Sequence, residues 1–251
     1  MICAPGFLRR FALPFALAFA VATGLAADRK QFSTSTTLAA EASTLTKLLD
    51  ELHYNHDSVR AADYANVIPD YMGDLDGQRL FFLGSDRAKF MEDYGKNVYY
   101  NTAFLGNINA AYEIFYVYQT RVENRIAWIF EQLKQDFDFT SNETYRADRA
   151  KSEWPANMAA SDDLWMKRLK FELVQEMLNK KTLDEARAQV KKRYDRMLKN
   201  LGDIDGNELA ELYLTTIAKL YDPHSTYFSA ATYEDFGIQM KLKLVGIGAL
   251  L

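Results

Sequence analysis

Three histidines, with the serines and carboxylates beside them, are the side chains of this chain best suited by type to catalysis or metal binding. His53 and His56, in LHYNHD, stand three residues apart with Asp57 adjacent. Two imidazoles and a carboxylate at that spacing could hold a zinc-type ion. A third strong ligand is not apparent, because His224 is the only other histidine and is distant in sequence. Imidazolium groups at a helix end also suit the negative pole of the helix dipole. Asp222, His224 and Ser225, in DPHST, have the types of an orienting acid, a base and a nucleophile. Adjacent residues are not thereby a triad, since those roles converge from separate elements. Pro223 makes a turn the simpler reading. DIDGNE, from Asp203, begins like a calcium loop, but its twelfth position is Leu214, where a glutamate is required. DLDGQR, from Asp74, has Ser85 there. Both read as turns that lead into helix caps. No residue is assigned to catalysis, to a metal or to a cofactor. Gly246, Ile247, Gly248 and Ala249 remain, near the end. Successive backbone N–H groups in such a loop can hold a carboxylate, and a peptide can then add as a strand beside it. A glycine in a strand also reads as a bulge.

The elements that would position these residues are mostly helices. Glycine and proline number only 12 and 5 in 251 residues, and scarce breakers favour long helices. Hydrophobic residues at 49% and charged residues at 25% are ordinary globular values, which argues against disorder. A net charge of −4 gives no bulk attraction for nucleic acid. Residues 1–26 read as an export signal: Arg9-Arg10, then an apolar run from Phe11 to Leu25, with cleavage expected after Ala26. The run falls short of the ~20 residues a membrane span needs. An uncleaved inner-membrane anchor is the alternative. Cys3 would leave with the signal, so the mature chain has no disulfide or thiol chemistry.

Residues 27–37 read as a flexible polar lead, and 38–240 as the helical body. Leu38, Leu45, Leu48, Leu49 and Leu52 share one side of a first helix that ends near His53. Ser58 to Val67 is a short helix stopped by Pro69, followed by a turn at Gly73–Gly77 and an extended RLFFL segment from Arg79. Ser85 then caps a helix running toward Tyr100. The longest helix is expected over Asn107–Phe137, with Ala111, Phe115, Tyr118, Val122, Ile126, Ile129, Leu133 and Phe137 inward. Its outward face carries Arg121, Asn124, Arg125 and Lys134. Thr140 to Pro155 reads as a loop. Ser161 is the expected cap of the next helix, and Thr182 with Glu185 forms a capping box for a helix that ends at Gly202. Another helix runs over Glu208–Leu220, and Ser229 caps a last short one. Residues 241–251, KLKLVGIGALL, alternate as a strand before the glycines.

Several stretches together resemble the tail-specific proteases, the C-terminal processing serine peptidases. They are LDGQRLFFLGSD (Leu75–Asp86), AYEIFYVYQTRVENR (Ala111–Arg125), DFDF (Asp136–Phe139), LWMKRLKFELV (Leu164–Val174), ARAQVKKRYDRML (Ala186–Leu198), DPHSTYFS (Asp222–Ser229) and LVGIGALL (Leu244–Leu251). The resemblance implies a mainly α fold: a multi-helix N-terminal domain with a long central helix. A terminal β-strand over residues 241–251 would begin a PDZ domain. Gly246–Ala249 would match that domain's carboxylate-binding loop. The family cleaves with a serine and a lysine base in a later region, and neither maps onto this chain; Ser225 does not match the nucleophile. The expected role is the non-catalytic N-terminal part of an exported periplasmic endopeptidase acting on proteins with apolar C-termini, with an adaptor protein as a possible further partner. The alternative is a free-standing periplasmic helical interaction module.

Overall fold

The computed structural model describes residues 30–241. The expected signal segment and the Gly246–Ala249 loop lie outside the described residues. From Phe32 onward the described chain forms one unit. Its helices are α1 (Thr36–Leu52), α2 (Val67–Leu75), α3 (Gly84–Asp93), α4 (Val98–Ala103), α5 (Asn109–Gln132), α6 (Met158–Leu178), α7 (Leu183–Asp203), α8 (Gly206–Lys219) and α9 (Ala230–Lys241). Short 3-10 turns at His56–Ser58 and Ala61–Asn66 join α1 to α2. No strand occurs among the described residues. Lys241, expected to open the terminal strand, is the last residue of α9; the rest of that strand lies outside the described residues.

The spine is α5, which packs against α2, α7 and α8. Ala111, Ile114, Phe115, Val122, Ile126 and Ile129 are buried along it. At 24 residues it is about 36 Å long, shorter than the 107–137 span the spacing predicts. Phe137 lies beyond its end and only packs against the core margin. Nor is the polar face of α5 all solvated. Arg125 is 5% exposed, reaches Ser161 Oγ at 2.8 Å and pairs with Asp162 at 2.7 Å. Arg121 grips Asp86 through two bonds, at 3.0 and 2.8 Å.

Several boundaries differ from the sequence reading for local reasons. Pro69 does not stop a helix. It is the third residue of α2, where the missing N–H has no intrahelical partner to lose. The expected turn at Gly73 is therefore the last part of α2, and the chain reverses at Asp76–Arg79, with Arg79 at φ 55. The Asp76 carboxylate organises the next segment. It accepts from the N–H groups of Leu80, Phe81 and Phe82 and from Trp154 Nε1, so RLFFL is held extended by a buried acid. Ser85 is not the cap of α3; Leu83 occupies that position, and its N–H donates to the Asp86 carboxylate at 2.9 Å. The run toward Tyr100 is broken into α3 and α4. Ser161 lies inside α6, which is capped by Asn157 accepting from the Ala160 N–H. The Thr182–Glu185 capping box forms as expected, and α7 runs one residue past Gly202.

The lead is tied down from Phe32. Its ring packs on Tyr112 and Tyr116, and the Thr34 N–H donates to Asn109 Oδ1 at 2.9 Å. Close approach to α1 depends on Gly106, at φ +63, where a Cβ would lie 2.1 Å from the Ala39 carbonyl oxygen.

Candidate functional site

The end of α8 and the segment after it, Tyr221–Ser229, carry the densest set of long-range polar contacts near the most specific sequence motif. Asp205 caps α8 by accepting from the N–H groups of Asn207 and Glu208, so DIDGNE is a helix start. Eight residues of α8 face the core, Tyr213 and Leu214 among them. At its end Tyr221 is drawn inward: its hydroxyl donates to the Asp50 carboxylate and lies 2.9 Å from the Tyr64 hydroxyl. Tyr99 donates to the other Asp50 oxygen at 2.7 Å. Asn55 Nδ2 donates to the Tyr221 carbonyl at 2.9 Å. One carboxylate thus joins α1, the turn before α2, α4 and the exit from α8. Burial, and then the Asp50 bond, raise the Tyr221 phenol above its ordinary range. The hydrogen bond to Asp50 is the main cause that pushes Tyr99 up to about 12.

Beyond Tyr221 the chain folds back as a strap. The Ser225 N–H donates to the Asp222 carbonyl at 2.9 Å, and Ser225 Oγ donates to the Asp222 carboxylate at 3.4 Å. Thr215 on α8 serves both polar groups of Tyr227, accepting from its N–H at 3.1 Å and donating to its carbonyl at 3.3 Å. The Tyr227 hydroxyl crosses to Glu41 on α1 at 3.0 Å. Glu211 accepts from the Ser229 N–H and from the Thr232 hydroxyl, and Ser229 Oγ accepts from the Thr232 N–H at 3.3 Å. Ser229 therefore starts α9 as its type suggests. Between α1 and the strap lies an open apolar groove of about 360 Å³, lined by Ala40, Glu41, Thr44, Leu45, Leu48 and Tyr227. Leu48 and Leu52, expected on the inward side, are 50% and 73% exposed; Leu49, expected there too, is buried, and Ala42 and Thr46 complete the buried face of α1.

This arrangement fixes a chain direction; it assembles no catalytic set from the expected candidates. His224 is exposed and outside the Ser225–Asp222 contact. His53 ends α1 as its C-cap; its Nδ1 accepts from the Asn55 N–H at 3.1 Å and its ring meets Tyr221 edge-on. His56 Nδ1 lies 3.4 Å from the carboxylate of its neighbour Asp57. No three His, Asp or Glu side chains converge as a metal cluster among the described residues. Asp50, Thr215, Glu211 and Glu41 carry the strap, yet none is marked in the sequence. Each is an ordinary polar residue on a helix, and only the fold brings it to residues up to 186 positions away.

Residues 45–231 match the family described as the tail specific protease N-terminal domain. The chain is also 27% identical over 206 residues to the "Tail-specific protease" of Haemophilus influenzae (strain ATCC 51907 / DSM 11121 / KW20 / Rd), a stretch covering 82% of this chain and 30% of that relative. The chain therefore spans about a third of that relative's length.

Proposed function

The chain belongs to the tail-specific protease N-terminal domain family, and from that premise we propose that it is the non-catalytic helical region of an exported serine endopeptidase. The substrates of that enzyme are proteins with apolar C-termini, cleaved by a serine with a lysine as base in a later region. The helical body is a scaffold for the PDZ and catalytic regions and a surface for substrates or an adaptor protein. The observation that carries this reading is the strap: Tyr221–Ser229 is pinned to α1 and α8 on both sides and leads into α9. Gly246–Ala249 follow as the carboxylate-binding loop, whose N–H groups would take the peptide terminus. Export to the periplasm rests on residues 1–26. No helix among the described residues is long and apolar enough to cross a membrane.

A free-standing interaction module is the second reading, favoured by the single unit that the body forms from Phe32. The first test is hydrolysis. Purified chain, free of host proteases, should not cleave a peptide ending in apolar residues. Turnover abolished by Ser225→Ala would make Ser225 a nucleophile and defeat the scaffold reading.

A further inference from the structure

We propose that Lys192, Arg196 and Lys199 on α7 form a docking stripe for an acidic segment of a partner protein. The three residues are spaced by four and by three, so they share one face of the helix. Their rise spans about 10 Å. All three are exposed, and none has a hydrogen-bond or ion-pair partner among the described residues. The other cations of α7 are partnered. Arg187 meets Asp184 and Asp136, Lys191 meets Asp195, and Arg193 meets Glu172 and Glu176. Three uncompensated charges in register are thus left on a chain whose net charge is −4.

The surroundings favour a short acidic segment over an anionic bilayer. The large apolar side chains of α7 are buried or half-buried in the body, so the helix offers no exposed apolar face to enter a membrane. Glu185 and Asp203 close the stripe at its two ends, and Asp195 flanks it. A broad negative surface would meet those carboxylates too, whereas a short segment fits between them. Carboxylates on alternate residues of an extended chain are about 6.7 Å apart, close to the ~6 Å rise from Lys192 to Arg196. Contacts between exposed charges are individually weak and screened by salt, so the docking is fast, reversible and salt-sensitive.

The test uses the purified chain and a fluorescent octapeptide alternating glutamate and serine, read by anisotropy. Binding should weaken by about tenfold or more from low to physiological salt. The triple change K192E/R196E/K199E should abolish it, and the neutral triple K192Q/R196Q/K199Q should weaken it at least about fivefold. Helical circular dichroism should be unchanged in both. The control K89E/K134E/K167E makes the same change of net charge at three lysines that already have carboxylate partners, and it should keep most of the binding. Equal loss in stripe and control variants would reduce the effect to bulk charge and overturn the proposal. So would binding to phosphatidylglycerol vesicles without binding to the peptide. The stripe does not depend on the peptidase reading: peptide docking can fail while the body still serves as a protease scaffold, and the reverse.

Discussion

Asp50 is the residue on which the exit of the chain turns. Its carboxylate takes the hydroxyls of Tyr221 and Tyr99, and Tyr221 in turn meets Tyr64. Tyr221→Phe removes one hydroxyl and leaves Tyr64, 1% exposed, without that bond. A buried polar group left unpaired costs about 1–3 kcal/mol. The expected outcome is a loss of that size in the stability read from urea unfolding, with Ser225→Ala losing far less; equal losses would mean that the strap, and not the carboxylate, holds the exit. A second consequence concerns alkaline pH. Burial is the first cause raising Tyr64, Tyr71, Tyr118, Tyr194 and Tyr213 above the ordinary 10.0. With folded values raised, their contribution to stability is full below about 10 and is lost as pH rises through the folded values. Phenolate absorbance at alkaline pH should therefore rise steeply together with loss of helical circular dichroism. Smooth ionisation of all the tyrosines while the helices persist would contradict their burial.

Elements were legible where apolar residues recur at helical spacing. Ala111 to Ile129 announces α5, and all seven of the expected inward positions from Ala111 to Leu133 are buried. Ile126→Asp places a charge at a fully enclosed position and should destabilise the body by at least about 3 kcal/mol, seen as a lower melting temperature. An unchanged melting temperature would mean that this face is not core. The capping box at Thr182 was also readable, because both partners lie within one turn. The features that could not be read depended on distance. Ser161 has the type of a cap, yet Arg125 from α5 claims its hydroxyl. Leu48 and Leu52 have core types, but α1 rolls so that Ala42, Thr46 and Leu49 face inward. Pro69 has the ring and missing N–H of a helix stop, but in the first turn of α2 neither breaks an intrahelical bond.

At the scale of the molecule, nine helices among the described residues form a body whose final contacts, at the strap, set the direction of α9. The candidate site was only half visible in the sequence. DPHSTYFS marked the strap, but the residues that hold it, Asp50, Glu41, Glu211 and Thr215, come from helices that carry no motif. The relative that this chain resembles is much longer, and the central claim is that the helical body serves such an enzyme as a scaffold. The most direct test is exchange. Residues 45–231, the matched region, should be transplanted in place of the corresponding region of the Haemophilus influenzae tail-specific protease. The chimera should then be assayed on a peptide with an apolar C-terminus, beside the intact enzyme and a deletion of that region. The account predicts that the chimera recovers most of the activity the deletion loses. A folded, soluble chimera no more active than the deletion would contradict it.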